Sequence, residues 1–169
     1  WNPRHPLLIV LFGIYFLFQI LLPLRHWTYP GNVNWTEEGH RLSWHMMLRV
    51  KGGYVRVQVK DKDTNESFQV DNLRYLTSKQ ERSLATRPDV LYQYIQILKD
   101  RLAEEGHTNI EIYVKSMVSL NGRDPQPLYN PEVDFMTVTW QPFSHSDWLV
   151  PLMDKDSDTG LMPNVPSKN

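Results

Sequence analysis

Residues 7 to 24 read LLIVLFGIYFLFQILLPL, with Gln19 as the single strongly polar side chain, and no other stretch constrains the chain as much. At about 1.5 Å per residue a helix over this run is roughly 27 Å long, close to the hydrocarbon thickness of a bilayer. The run is apolar all round rather than along one stripe, which separates it from the helix of a soluble core. No Ala-x-Ala-type cleavage sequence follows it, which argues against a signal peptide. Trp1, Trp27 and Tyr29 bracket the run as interfacial aromatics would. Arg4 precedes it and Arg25 follows it, so the flanking cations do not orient it. Pro23 predicts a kink or an exit at its end. The chain opens on Trp1 rather than Met, and reads as a piece of something longer or a processed product.

Beyond this run the pattern changes. TYPGNVNWTEEGHR is a turn-rich connector. SWHMMLRV, from Ser43, reads as extended, KGG as a turn, and YVRVQVK alternates strictly with strand-forming Tyr54, Val55, Val57 and Val59. DKDTNES makes the next turn and FQV returns, giving antiparallel strands joined by hairpins. In TSKQERSL, Ser78 stands three residues before Glu81, a capping-box pattern at a helix start. Pro88 opens a second helix, in which Val90, Leu91, Tyr94, Ile95, Leu98 and Leu102 share one face and Gly106 stands where a left-handed cap belongs. NIEIYVKSMVSL alternates again, with NGR as its turn. VDFMTVTW is a further strand candidate, and HSDWLVPLM is expected to pack back on the core. The expectation is an α+β chain: one N-terminal transmembrane helix with its flanks over residues 1–26, a soluble domain with an antiparallel sheet and a helical segment over 27–153, and a mobile tail over 154–169.

The formal net charge is −1, from 18 basic and 19 acidic side chains, and no Lys/Arg-rich run stands out, so nucleic acid is not an expected partner. With no cysteine, disulfides, thiolate catalysis and Cys-type metal sites are excluded within the chain. His40 and His45 are five apart, a spacing poorly suited to a shared metal. DKDTNES imitates the opening of a calcium loop, but Glu66 stands where the sharp turn needs Gly and Asn72 where a bidentate Glu is needed. DKDSDTG fails in the same way. Phosphate-binding, dinucleotide-binding and nucleophile-elbow motifs are absent. Asn34-Trp35-Thr36 and Asn65-Glu66-Ser67 match the short glycosylation pattern. Glu37 and Glu38 are neighbours expected to point different ways. Around them Arg25, His26, Trp27, Tyr29, Asn34, Trp35 and Trp44 crowd one short reach. An interfacial aromatic belt and a ligand site explain that crowding equally well.

At LRHWTYPGNVNWTEEGHRLSWHMML the chain resembles the region after the last membrane helix of vitamin K-dependent γ-carboxylases and their microbial relatives. IYVKSMVSLNGRDPQPLYNPEVDFMTVTWQPFSHSDWLVPLM resembles a later segment of the same family, in the same order, so the resemblance covers most of the chain outside the tail. It implies the C-terminal part of an integral membrane enzyme of the carbon–carbon lyase class, with membrane helices of the horizontally transferred transmembrane domain type. In that family, oxygenation of reduced vitamin K (the quinol) generates a strong base that removes the γ-proton of a protein-bound glutamate, and the carbanion adds carbon dioxide. A glutamate γ-hydrogen is far too weak an acid for an ordinary side-chain base, and a dry site must protect the carbanion. The resemblance implies quinol, oxygen and carbon dioxide as co-substrates, no metal, a glutamate-containing protein or peptide and membrane lipid as partners, and a lumenal or periplasmic soluble domain.

The family's redox lysine lies in earlier membrane helices, so Lys51, Lys60 and Lys62 do not inherit its role, no catalytic residue is assigned, and the fragment alone is expected to be inactive. His26, Asn34, Trp35, Thr36, Ser43 and Trp44 occupy matching motif positions. The resemblance implies that His26, Asn34, Trp35, Thr36 and Trp44 form the substrate region, with His26 and Trp35 shaping it. Arg123, Asp134 and Trp140 match in the second block and imply structural roles. The lack of cysteine and the form YPGNVNWTEEGH depart from animal members and leave the native substrate open. A relative that keeps the fold as a membrane-tethered peptide-binding module, or as a plain anchored structural domain, is the alternative.

Overall fold

Alternation and helical periodicity build this fold, and the computed structural model describes residues 6–41, 43, 48–141 and 143–153. Helix α1 (Pro6–Leu24) is long and apolar enough to cross a membrane. Residues 6 to 22 are exposed and Pro23 is its one buried residue, the reverse of a soluble core helix. A 3-10 turn (Arg25–Thr28) and a one-turn helix α2 (Val33–Thr36) carry the chain onto the body.

The body is a three-stranded antiparallel sheet of order β2-β1-β3, with helices on one face, as an α+β fold requires. Strand β1 (Lys51–Asp61) pairs along its whole length with β3 (Ile110–Leu120), and β2 (Ser67–Gln69) adds a short edge. Period-two alternation sends Val55, Val57 and Val59 inward against Ser116, Val114 and Ile112. Their outward neighbours Arg56 and Lys60 face Lys115 and Glu111. Inward residues of the sheet share one core with α3 (Ser78–Thr86) and α4 (Pro88–Glu104). Leu91, Tyr94, Ile95, Leu98 and Leu102 form the buried stripe of α4, each stabilising by about 1.5–3 kcal/mol on leaving water. Residues 121–141 and 143–153 run as turns and isolated bridges beside the open edge of β3. Asp134 Oδ1 accepts the Ile112 N–H at 3.0 Å, and Ser116 Oγ accepts those of Leu128 and Tyr129 at 3.2 and 3.1 Å.

Several local expectations shift by a residue or change type. The capping box at α3 uses Thr77 and Gln80, one position before Ser78 and Glu81. Lys51-Gly52-Gly53 is the start of β1 rather than a turn, and Gly53 is needed because an added Cβ would lie 2.2 Å from the Met117 carbonyl oxygen. Residues 133–140 form turns instead of a strand, because Asp134 and Phe135 spend their hydrogen bonds on Ile112, one residue of β3, rather than on a ladder. Of the extended 43–50 segment, residues 48–50 are irregular and 44–47, which include Trp44, lie outside the described residues. The tail from 154 also lies outside them. Pro88 opens α4 and forces Arg87 into extended backbone, which separates it from α3. At the other end Gly106 (φ +97°) closes α4, its N–H bonding the Ala103 carbonyl and the His107 N–H that of Leu102.

Candidate functional site

The chain leaves α1 through Pro23, and the segment that follows is pinned residue by residue. His26 Nδ1 lies 2.7 Å from the Pro23 carbonyl, which can only accept, so that ring nitrogen carries the proton. Asn32 caps α2 by accepting the Asn34 N–H at 2.9 Å, and Glu37 ends it in left-handed backbone at φ +62°. Gly39 (φ +66°) follows; a Cβ there would lie 2.9 Å from both the His26 backbone and the Tyr29 ring. These two left-handed residues turn the adjacent carboxylates apart. Glu37 meets Arg49 at 3.0 Å and Lys51 at 3.4 Å. Glu38 is buried, and its oxygens accept from His145 Nδ1 and from the Ser146 N–H, each at 2.7 Å.

Lys51 explains how this segment is fastened. Strand alternation places it on the inner face of β1, at the end of the core. Its ammonium donates to the carbonyls of Trp35 at 2.7 Å and Thr86 at 2.8 Å, the last turns of α2 and α3. A lysine thus satisfies two helix ends whose carbonyls have no partner of their own. Burial pushes its pKa down to about 8, against the pull of Glu37. With its donors turned to carbonyls and to Glu37, Lys51 is a fastener.

Against this segment lies a cleft of about 440 Å³. One wall comes from Arg25, Tyr29, Thr36, Glu38 and Arg41, the opposite one from Pro88, Asp89 and Gln93 at the start of α4, and the rim from Trp140, Gln141, Ser144 and Ser146. Its acidic groups are each engaged, since Arg41 bridges to Asp89 and the two glutamates are held as described. Arg25 donates from Nη2 to the Arg41 carbonyl at 3.1 Å, while its Nε is buried without a hydrogen-bond partner among the described residues. The charged side chains that line the cleft are Arg25 and Arg41 on the basic side and Glu37, Glu38 and Asp89 on the acidic side; Arg49 and Lys51 offset Glu37 from outside the lining and Arg41 offsets Asp89, which leaves Arg25 as the lining cation suited to an anionic ligand. Tyr29 sits between Arg25 and Glu38, and burial raises its pKa above the usual phenol value. Among the described residues no three histidine or acidic side chains converge as metal ligands would.

The sequence-derived candidates fall in different places. Thr36 lines the cleft and its Oγ1 accepts the Glu38 N–H at 3.4 Å. Trp35 lies behind the wall in the core, 1% exposed, its indole N–H donating to the Val150 carbonyl at 2.7 Å. Asn34 is half-buried on α2, and His26 lies edge-on to Trp27 in the 3-10 turn. Asp134 secures loop backbone, while Trp140 both packs against Tyr92 and Trp148 and lines the cleft. Sequence reasoning missed Arg41, Asp89, Gln93 and His145. His145 stands 107 residues from Glu38, a separation that no local pattern reveals.

No solved structure matches the chain. A family model described as the lumenal domain of vitamin K-dependent gamma-carboxylase matches residues 4–155. A match over nearly the whole chain, to a domain expected beside a membrane, accounts for an apolar helix running straight into a charged cleft: this chain belongs to the vitamin K-dependent gamma-carboxylase lumenal domain family.

Proposed function

We propose that this chain is the peptide-receiving part of a membrane γ-glutamyl carboxylase, with α1 spanning the bilayer and the body on the lumenal or periplasmic side. The observation that carries this reading is the charged cleft placed directly at the exit of α1. A glutamate side chain entering it meets the Arg25 guanidinium on the wall, while Glu37 and Asp89 are already paired with cations and Glu38 is held by hydrogen bonds from His145 and the Ser146 N–H. Thr36 lies on the wall, and His26, Asn34, Trp35 and Trp44 shape the region around it. A naphthoquinol with an isoprenoid tail does not suit a lining that carries five charged side chains, Arg25, Glu37, Glu38, Arg41 and Asp89, so no quinol step is assigned to these residues. Reduced vitamin K, oxygen and carbon dioxide then react in membrane helices elsewhere, and this chain supplies peptide binding and orientation. The same polar lining favours a second reading, a membrane-tethered peptide-binding domain of a non-carboxylating relative.

The test is carbon dioxide incorporation into a glutamate-containing peptide by the membrane protein carrying this chain, in nanodiscs with reduced vitamin K and oxygen. Incorporation with matching quinol epoxidation, reduced in folded His26→Ala and Arg25→Gln variants, is the expected outcome. Peptide binding without incorporation or epoxidation overturns the carboxylase reading and leaves the binding domain.

A further inference from the structure

Asn34-Trp35-Thr36 and Asn65-Glu66-Ser67 match the same glycosylation acceptor pattern, and the structure treats them in opposite ways. The first lies within helix α2. Its Trp35 and Thr36 are 1 and 3% exposed, and the Asn34 Oδ1 is buried. An oligosaccharide on that amide would stand against the core, and α2 could not pack. The second lies in a stretch, residues 62–69, that is exposed throughout. Asn65 is in the turn that joins β1 to β2, in left-handed backbone at φ +60°. Its amide and the Ser67 hydroxyl make no hydrogen bond among the described residues, so both groups that a transferase must reach are open. Position in the fold separates the two further. Lys51, at the start of β1, bonds the Trp35 carbonyl, and the Asp61 N–H, at its end, bonds the Glu66 carbonyl. Between them β1 runs for 11 residues, about 33 Å at roughly 3.3 Å per residue. Helix α4 gives the same polarity: Pro88 and Asp89 at its start line the cleft, while Asn109, beyond its end, holds Asp63 of the turn at 2.7 Å.

We infer that Asn65 is the acceptor of an N-linked oligosaccharide and that Asn34, in the same sequence pattern, is not. The inference rests on the lumenal or periplasmic placement of the body proposed above, the side on which this pattern is modified. The Asn65 amide nitrogen attacks the anomeric carbon of a lipid pyrophosphate-linked oligosaccharide. The bond from that carbon to the pyrophosphate oxygen breaks, a carbon–nitrogen bond forms, the amide gives up one proton and the lipid pyrophosphate leaves. The Ser67 hydroxyl is the group by which the transferase recognises the acceptor. Ser67 also opens β2, the short and fully exposed edge of the sheet. A bulky, hydrated oligosaccharide two residues away covers that edge and keeps it from pairing with another chain. The cleft, at the far end of β1, stays unobstructed.

The membrane protein carrying this chain would be made in cells whose secretory membranes transfer oligosaccharides to this pattern. Peptide mass spectrometry reads occupancy at Asn65 and Asn34, and N-glycosidase digestion reads the loss of mass. Gly106→Asn, placed in the Asn65→Gln chain, makes a fresh acceptor pattern with Thr108 and reports the side of the membrane independently. Gly106 is left-handed at φ +97°, with nothing within 4 Å of an added Cβ, and asparagine tolerates that backbone. Near-UV circular dichroism checks that each variant is folded. The expected result is Asn65 occupied and Asn34 bare. The digestion shift then falls by one oligosaccharide in Asn65→Gln and in Ser67→Ala, and is unchanged in Asn34→Gln. Modification of the Gly106→Asn chain with Asn65 bare in the parent overturns the inference and leaves the placement of the body intact. No modification at either position overturns the placement and the inference together. An oligosaccharide on Asn34 of the folded protein also overturns the inference.

Discussion

The sheet-and-helix body and the segment joining α1 to it are held by opposite means. In the body, Val57, Val59, Ile95, Leu98, Ile112 and Val114 are almost wholly buried and pair by shape alone. At the joining segment, Glu37 and Glu38, and the Lys51 of β1 that fastens it, are withdrawn from water and must each find a charge or a hydrogen bond. Apolar burial is non-directional and tolerates repacking, whereas a buried ion fixes geometry at a desolvation cost. A body of the first kind supplies stability, and a rim of the second kind holds a cleft in one shape.

Trp35 joins the two regions, and removing it breaks the comparison most severely. Trp35→Ala is expected to cost about 3–5 kcal/mol and to lower the melting temperature by roughly 10 °C, read by near-UV circular dichroism in detergent. If the joining segment were independent of the core, the loss would be small and the body's transition unchanged.

Lys51→Met separates the ionic contribution by its pH dependence. In the folded chain Lys51 has a pKa of about 8, below its ordinary 10.5, so between those values the unfolded chain binds more protons. Stability from this site therefore rises with pH across that window and is at its lowest below pH 8. The stability of the parent relative to Lys51→Met should increase by about 2 kcal/mol from pH 8 to pH 10. A flat difference would show the ammonium to be solvated rather than buried. Raised tyrosines such as Tyr129, which act in the opposite direction at high pH, cancel in the subtraction.

The smallest effect belongs to the cleft mouth. Arg41→Gln removes the bridge to Asp89, but the arginine side chain is 67% exposed, so the expected loss is under about 1 kcal/mol. A larger loss would mean that the mouth, too, is part of the load shared by the rim.

Much of the fold could be read from local pattern. Strict alternation in YVRVQVK and IEIYVKSMVSL announced β1 and β3, and the three- and four-residue spacing from Val90 to Leu102 announced α4. Gly53 misled, since glycine marks a turn and an over-close strand pair alike, and only the pairing with β3 distinguishes them. VDFMTVTW misled because strand-forming residues make a strand only by pairing along several successive residues, and here Asp134 and Phe135 bond a single residue of β3, Ile112. Of the cleft, the wall from Arg25 to Arg41 was visible as one crowded stretch, whereas Asp89, Gln93 and His145 had no signal.

By itself the sequence determined the apolar helix, the alternating strands, the amphipathic α4 and the family, because each is written in residues adjacent along the chain. Only the tertiary structure decided that Glu37 and Glu38 face different partners, that Lys51 fastens two helix ends, and that Trp35 lies behind the cleft. The reason is physical: hydrophobic periodicity acts over a few residues, while the partner of a buried charge is chosen by whatever distant group the packed chain brings within 3 to 4 Å.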